Sequence, residues 1–245
     1  MDSFLAFIQS FWMPLVLGSA IAYLLGSVNF AIVVTRCMKK GDIRQYGSGN
    51  AGATNVLRSQ GKGAAALTTL GDLAKSMLAV WIGGWLITHI NPDLILSSTV
   101  GSGTYEEEHL RLIGEYIAGL FCILGHLYPL YFGFRGGKGV LATLGMMLIL
   151  DWRVALISLG VFIIALIIGR MVSLGSILAG VTMVICTFLF RAFVDHYPTW
   201  VVALCTIMAL IIVVLLIFKH VPNIKRILNG TESKIGSRHK DGEGK

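Results

Sequence analysis

Residues 47–63 read GSGNAGATNVLRSQGKG and separate two long apolar runs. The stretch holds five glycines, several amide and hydroxyl side chains and two fixed cations, Arg58 and Lys62. Glycines let a backbone curl closely around a ligand, and successive free N–H groups in such a curl form an anion-binding concavity. Together with the two cations, this pattern favours a phosphate site. The alternative interpretation is a flexible connector between helices, and the stretch alone does not decide between them.

The composition of the whole chain is typical of a polytopic membrane protein. Its 245 residues are 55% hydrophobic and 13% charged, and the mean hydropathy is +0.76. The net charge of +7 is therefore interpreted as loops that face anionic lipid and the cytoplasm, and not as a nucleic-acid surface. Cys37, Cys122, Cys186 and Cys205 are widely spaced and predict neither a metal site nor a disulfide.

Seven apolar segments predict an all-α fold, a polytopic integral membrane bundle of seven transmembrane helices. They lie at about 11–34, 64–89, 112–132, 139–150, 154–169, 172–190 and 199–218. Most approach the roughly 20 residues that cross a bilayer, whereas 139–150 would be only about 18 Å long as a helix. We expect this fourth segment to continue into the preceding loop or to lie where the bilayer thins.

The cations divide unequally between the two sides of such a bundle. Seventeen Lys and Arg residues fall on one side, and only Arg111, Arg153 and Arg191 fall on the other. Cytoplasmic loops carry the excess of basic residues, so the N-terminus is predicted outside and the C-terminus in the cytoplasm. The first apolar run has no basic flank and no cleavage site, and it is interpreted as a retained anchor.

The bundle is predicted to be one domain. Residues 1–230 form the transmembrane domain, and 231–245 form a flexible basic cytoplasmic tail rich in Gly, Lys and Ser. An outer loop at 91–110, with acidic residues at 106–108, is expected to be flexible and solvated. The sequence does not indicate the oligomeric state.

Three further polar groups fall on the same side as the glycine-rich stretch. They are Arg135-Gly136-Gly137-Lys138, the pair Ser173 and Ser176 one helical turn apart, and His220, Asn223 and Arg226 at intervals of three. Two cations around two glycines can converge on one small anion. The four groups together offer cations, hydroxyls, amides and one imidazole but few carboxylates. This inventory suits two phosphate-bearing molecules and is poor for metal-assisted hydrolysis.

Two charged residues lie inside the second apolar segment. Asp72 and Lys75 are three apart, and an ion pair at membrane depth is costly enough to count as a functional hypothesis. Of the two interpretations, we favour a structural pair that holds the helix against the glycine-rich loop. His126, before Pro129, is likewise interpreted as a structural residue near a helix end.

These motifs resemble the bacterial PlsY family of membrane glycerol-3-phosphate acyltransferases. The resemblance rests on residues 48–58 with Gly61-Lys62, on 125–139 from Gly-His to Gly-Gly-Lys-Gly, and on His220-x-x-Asn223 with Arg226 and Gly230-Thr231-Glu232. It covers essentially the whole chain. It implies a seven-helix bacterial inner-membrane enzyme with its active site on the cytoplasmic side. Such an enzyme moves a fatty acyl group from acyl phosphate to the 1-hydroxyl of sn-glycerol 3-phosphate and needs no cofactor.

The resemblance also implies roles for individual residues. Ser48, Arg58, Lys138 and His220 match catalytic positions. The implied substrate-binding positions are Gly49, Asn50, Gly52, Thr54, Asn55, Arg135, Gly136, Gly137, Asn223 and a serine that is either Ser173 or Ser176. The proton of the attacking hydroxyl could go to His220 or to a substrate phosphate. We favour the phosphate, since nothing in the sequence orients an imidazole.

Two other functions fit parts of the pattern. A transporter for a phosphorylated metabolite would also need a basic pocket, but at the membrane midplane, whereas these charges gather at one surface. An alcohol phosphotransferase acting on CDP-lipids would need clustered aspartates for a metal ion, and the sequence has none.

Overall fold

The computed structural model describes residues 2–38, 40–90 and 107–235, with side chains described from Phe11 onward. All regular structure in these ranges is helical, as predicted. The helices are α1 Asp2–Ser27, α2 Phe30–Cys37, α3 Ala53–Gln60, α4 Lys62–His89, α5 Glu107–Leu127, α6 Val140–Leu150, α7 Trp152–Gly169, α8 Val172–Leu189 and α9 Thr199–Leu228. Short 3₁₀ turns lie at Ile43–Gln45 and Leu130–Phe132, and a π-helical turn lies at Phe190–Val194.

Six helical segments in the described ranges are long and apolar enough to cross a membrane. They are Phe11–Cys37, Lys62–His89, Glu107–Phe132, Trp152–Gly169, Val172–Val194 and Thr199–Leu228. The apolar helix α6 has only 11 residues and is shorter than these six. The length and apolarity of these segments fit the predicted membrane character, and α6 is as short as the sequence suggested.

Several boundaries differ from the prediction because tertiary contacts set them. The first apolar segment is broken after Ser27, and the Asn29 side chain caps α2 by accepting a hydrogen bond from the Ile32 N–H. The glycine-rich stretch contains a helix of its own, α3, which carries Arg58. The prediction that the outer loop reaches residue 110 is wrong, since α5 begins at Glu107. The rest of that loop, 91–106, lies outside the described residues, as do residues 236–245 of the predicted tail.

Small residues allow α1, α4 and α5 to pack with their backbones nearly in contact. A Cβ added to Gly114 of α5 would lie 2.4 Å from the Gly83 carbonyl oxygen of α4, and one on Gly125 would lie 2.3 Å from the Tyr23 carbonyl oxygen of α1. Helices in lipid gain little from burying apolar surface against each other, so this close approach and the dispersion contacts that come with it stabilise the bundle.

Charged residues lie together at the bundle end away from the glycine-rich stretch. Arg153 donates hydrogen bonds to the carboxylates of Asp151 and Asp195, at 2.7 and 2.9 Å. Arg191 donates to Asp195 at 3.0 Å and to the Leu150 carbonyl, the last of α6, at 2.8 Å. The end of α6 is thereby tied to the segment between α8 and α9.

The substitution Gly114→Ala tests this packing. The added methyl group clashes with the Gly83 backbone, so we expect unfolding to become easier by about 1–3 kcal/mol, as for an overpacked core. Thermal unfolding of the purified protein in detergent measures the effect. Gly160→Ala in α7 is the matched control, because nothing lies within 4 Å of its added Cβ. Equal melting temperatures for the two variants would contradict the close α4–α5 contact.

Candidate active site

A cleft of about 740 Å³ lies at the end of the bundle where the glycine-rich stretch meets α9. It is lined by predicted site residues from all four polar groups: Ser48, Gly49, Asn50, Gly52, Thr54, Asn55, Arg58, Gly136, Lys138, Ser173, Ser176, His220 and Asn223. The structure therefore brings together residues that are up to 175 positions apart, from Ser48 to Asn223. Convergence of this kind is what a binding site requires and what a set of unrelated connectors would not produce.

The Asn55 side chain holds the curl of the glycine-rich stretch. Its amide nitrogen lies 3.2, 2.9 and 3.1 Å from the carbonyl oxygens of Ile43, Tyr46 and Asn50, and its oxygen accepts a hydrogen bond from the Ser48 N–H at 3.0 Å. Asn55 is only 2% exposed. The side-chain amide of Asn55, which was predicted to bind substrate, thus forms its hydrogen bonds with the backbone of the loop and fixes the turn that contains Ser48.

Left-handed backbone at two glycines completes the curl. Gly47 and Gly49 have φ angles of +54° and +70°, which favour glycine over residues that carry a Cβ. At Gly47 a Cβ would also lie 2.4 Å from the Asn55 side-chain oxygen. The curl therefore needs both the free φ angle and the missing side chain.

Arg44 joins the glycine-rich stretch to the turn after α5. Its guanidinium binds both carboxylate oxygens of Asp42 and donates to the carbonyls of Phe132 and Arg135, at 2.7 and 3.0 Å. These hydrogen bonds hold the pKa of the Asp42 carboxyl well below its usual range, so the carboxylate stays charged. The clamp was not predicted, although an Asp and an Arg two residues apart just before the glycines were a visible signal.

Lys138 is the cation that the Gly136–Gly137 turn presents to the cleft. Its ammonium donates to the side-chain oxygen of Asn223 at 2.5 Å. Burial lowers the pKa of Lys138 to about 8, with the positive charges of Arg226 and Arg58 acting in the same direction and Glu232 opposing them. A bound phosphate would oppose this shift and keep the ammonium charged.

Two predicted binding residues do not line the cleft. The Arg135 side chain is exposed, and its backbone carbonyl is the acceptor for Arg44. Gly137 is buried between the two loops, where an added Cβ would lie 2.3 Å from the His126 Nε2 atom and 2.5 Å from the Ala51 carbonyl oxygen. Arg135 is directed away by the turn, and Gly137 serves the contact between the loops.

The two candidate serines face the cleft with different partners. The Ser173 hydroxyl donates to the Glu232 carboxylate at 2.7 Å, whereas the Ser176 hydroxyl donates to the Val172 carbonyl of its own helix at 2.9 Å. Ser173 therefore belongs to a network that crosses the site. Ser176 makes the back-bond that is common for serines in membrane helices.

Glu232 is the main site residue that the prediction omitted. Its carboxylate accepts hydrogen bonds from Ser173, from the Asn223 amide at 2.7 Å and from Arg226 at 2.7 Å, and these bonds lower the pKa of Glu232. Arg226, Asp72 and His126 also line the cleft. Glu232 closes the third motif of the resemblance, but the prediction gave it no role and placed it in the flexible tail; its place in that motif was the signal that could have found it.

The structure supplies the group that orients the His220 ring. The Nδ1 atom lies 2.8 Å from the Leu216 carbonyl oxygen, four residues earlier on α9. A carbonyl only accepts, so Nδ1 carries a proton and the neutral ring has its lone pair on Nε2. His220 also lines the cleft.

An apolar cavity of about 110 Å³ continues from the cleft between α6, α7, α8 and α9. The two spaces share Val140, Leu141, Phe162 and Ser176. Among the described residues, no group of three or more His, Cys, Asp or Glu side chains is arranged to hold a metal ion. Fold and site thus define a helical membrane protein with a basic, amide-rich cleft next to a space for an apolar chain.

Comparison with known proteins gives the family. A family model described as glycerol-3-phosphate acyltransferase matches residues 16–230, and the chain belongs to this family. Proteins named glycerol-3-phosphate acyltransferase from Thermoanaerobacter pseudethanolicus and Bordetella petrii are 38% and 40% identical to it. The alignments cover 91% and 90% of this chain and 96% and 93% of those proteins.

Two crystal structures of PlsY, an integral membrane glycerol 3-phosphate acyltransferase, are also similar. The glycerol 3-phosphate form has a TM-score of 0.70 at 36% identity and covers 91% of this chain and 96% of its own. The lysophosphatidic acid form has a TM-score of 0.68 at 35% identity, over 91% and 95%. The resemblance to the PlsY family seen in the sequence is thereby confirmed, and the chain is an integral membrane acyltransferase.

Proposed function

We propose that this protein transfers a fatty acyl group from acyl phosphate to the 1-hydroxyl of sn-glycerol 3-phosphate. The products are lysophosphatidic acid and phosphate, and the reaction is the first step of bacterial phospholipid synthesis. One observation carries the proposal: the cleft that contains the two glycine-rich turns shares lining residues with an adjoining apolar cavity. Family membership and the ligands named for the two PlsY structures support it.

The chemistry needs little covalent help from the protein. The glycerol oxygen forms a bond to the acyl carbon, the bond from that carbon to the phosphate oxygen breaks, and the hydroxyl proton ends on the released phosphate. Acyl phosphate is a mixed anhydride with a good leaving group, so a covalent enzyme intermediate is unnecessary. The protein has to align hydroxyl and carbonyl and to stabilise charge on the departing phosphate.

The proposed roles follow from where each side chain lies. Arg58 of α3 and Lys138 after the Gly136–Gly137 turn bind phosphate groups, and Ser48 with the backbone of Gly49 and Asn50 completes the anion site. Gly52, Thr54 and Gly136 form the walls next to these groups. Asn223 and Ser173 bind substrate on the α8–α9 side, where they already form a network with Glu232.

The acyl chain is proposed to enter the apolar cavity. We propose that the scissile carbonyl lies near Val140, Leu141 and Phe162, which line both spaces, with the first part of the chain between α6 and α8. A chain buried there loses contact with water while its phosphate stays among the cations.

We further propose that the chain crosses the bacterial inner membrane seven times and that its active site lies on the cytoplasmic side. Helix α6 begins at the cleft with Val140 and ends at Leu150, whose carbonyl binds Arg191 at the opposite end of the bundle. It therefore connects the two ends, although its length is only about 16 Å. Arg111, Arg153 and Arg191 belong to the other end, so the excess of basic residues lies on the cleft side, as for a cytoplasmic face.

The donor is tested with purified protein and labelled sn-glycerol 3-phosphate. Palmitoyl phosphate, palmitoyl-CoA and palmitoyl acyl carrier protein are supplied in parallel, and the lipid product is extracted and counted. We expect lysophosphatidic acid with palmitoyl phosphate only. The Lys138→Met protein controls for contaminating enzymes. Product formed from palmitoyl-CoA but not from palmitoyl phosphate would contradict the proposed donor.

The charge of Lys138 predicts a pH dependence. Its lowered pKa of about 8 means that the ammonium is present below pH 8 and is lost as the pH rises further, so kcat/KM should fall above that pH. Phosphate groups of the substrates titrate near pH 6, so they do not produce this fall, the alkaline limb of the pH profile. In Lys138→Arg the limb should disappear, because a guanidinium stays charged. If the alkaline limb near pH 8 persists in Lys138→Arg, a group other than Lys138 causes it and the prediction is wrong.

His220 is proposed to orient the acceptor by accepting a hydrogen bond at Nε2 from the 2-hydroxyl of sn-glycerol 3-phosphate, while the substrate phosphate takes the proton of the attacking 1-hydroxyl. We expect His220→Ala to lower kcat by about 10- to 100-fold and to leave the shape of the pH–rate profile unchanged. A general base contributes about 10²- to 10⁴-fold. A loss near the upper end of that range, unrelieved at any pH, would instead make His220 the base.

A further inference from the structure

A buried ammonium group lies behind the cleft and contacts the elements that carry both glycine-rich turns. Lys75 of α4 is 5% exposed, and its Nζ atom lies 2.8 Å from an Asp72 carboxylate oxygen. The same nitrogen donates to the carbonyls of Gly26 and Val28, at 3.1 and 2.7 Å. These carbonyls lie where α1 breaks before α2. The ammonium therefore replaces the partners that the break removes.

The fourth partner of Lys75 is the His126 ring at the end of α5. Nζ lies 3.0 Å from Nδ1, and an ammonium only donates, so Nδ1 accepts and the neutral ring carries its proton on Nε2. Nε2 faces Gly137, where a methyl group would lie 2.3 Å from it. The His126 carbonyl also accepts a hydrogen bond from the Gly137 N–H at 3.1 Å. Ring and carbonyl together hold the turn that ends in Lys138.

The break between α1 and α2 is linked to the other turn. Asn29, next to the Val28 carbonyl, donates from its amide nitrogen to the Ala51 carbonyl at 3.3 Å. Ala51 is fully buried in the middle of the glycine-rich stretch. Its carbonyl oxygen and the His126 ring both lie close to the Cα atom of Gly137. The two turns thus meet at one point, and both are attached to Lys75 through short chains of contacts.

We propose that Lys75 is a positioning residue that sets the separation between the turn of Ser48 and the turn of Lys138. It does so by holding the α1–α2 break and the His126 ring in one arrangement. This inference rests on the proposed function, because the separation matters only if both turns bind substrate. The role proposed for Lys75 goes beyond neutralising the charge of Asp72, because three of its four partners are two carbonyl groups and the His126 ring.

The test separates positioning from charge neutralisation with the double variant Asp72→Asn/Lys75→Met. Removing both charges avoids the unpaired buried charge that a single substitution would leave. If Lys75 positions the turns, the double variant should show KM values for sn-glycerol 3-phosphate and palmitoyl phosphate raised at least about tenfold, with a further drop in kcat. Values within about twofold of the wild type would overturn the proposal, because neutralisation alone would then explain Lys75.

A matched control removes a buried pair at the other end of the bundle. Asp195→Asn/Arg191→Met eliminates an ion pair of 3.0 Å and should lower the melting temperature while both KM values stay unchanged. Should the Asp72→Asn/Lys75→Met protein not fold, Lys75→Arg keeps the charge but presents a wider planar donor. Raised KM values in Lys75→Arg support positioning, and wild-type values contradict it.

A binding measurement, which needs no acyl transfer, tests the role of Lys75 separately from the proposed function. The affinity for sn-glycerol 3-phosphate, measured by isothermal titration, should weaken at least about tenfold in the double variant. If the wild type binds this ligand but transfers no acyl group from palmitoyl phosphate, the proposed donor fails while the positioning of the turns is still tested. Equal affinities in wild type and double variant overturn the role of Lys75.

Discussion

Main-chain carbonyl groups that helices leave unpaired at breaks and ends are bound by basic side chains throughout this bundle. Lys75 binds the carbonyls at the α1–α2 break, Arg44 binds those of the turn after α5, and Arg191 binds the last one of α6. Where such a group is buried inside the bundle no water reaches it, so the irregular backbone is stable only if the protein supplies a partner. The two curls that form the cleft exist because these partners are present.

The same constraint explains why so few polar side chains are free to bind substrate. Asn55 uses both ends of its amide on the backbone of its own loop, and Arg44 uses its whole guanidinium on Asp42 and two carbonyls. What remains toward the cleft is a small set from distant helices, chiefly Arg58, Lys138, Ser173, His220 and Asn223. A rigid frame of satisfied groups thus surrounds a few groups that can exchange their partners for a phosphate.

The sequence predicts the helices well and the internal partners poorly, and the reason is physical. Apolar runs are long local signals, and glycine next to cations is a local signal for an anion site. The break after Ser27 has only the Asn29 cap as a local signal, because its other partner, Lys75, is 49 residues from Gly26. The orientation of His220 comes from a backbone carbonyl one turn away, which every helix has, so the sequence could not show that this bond forms.

Two errors in the predicted site arise from treating neighbours in the sequence as neighbours in the cleft. Arg135 and Lys138 were expected to converge on one anion, but the turn between them directs only Lys138 inward and uses the Arg135 carbonyl as an acceptor. Glu232 was assigned to a flexible tail on composition, whereas three donors from α8 and α9 bind its carboxylate. Ile235 extends this contact, with its N–H bound to the Arg170 carbonyl at 2.7 Å.

The short helix α6 relates the phosphate cleft to the opposite end of the bundle. Val140, at its start, lines both the cleft and the apolar cavity, and Met147, nearly two turns later, still lines the cavity. The Met147 carbonyl accepts a hydrogen bond from the N–H of Asp151, where the charged network of Arg153 and Arg191 begins. On α6 the lining of the cavity ends at Met147, one turn before this network, so the charged groups lie beyond the space proposed for the acyl chain. If the acyl chain binds as proposed, the first two turns of α6 are therefore the part of this helix that holds it.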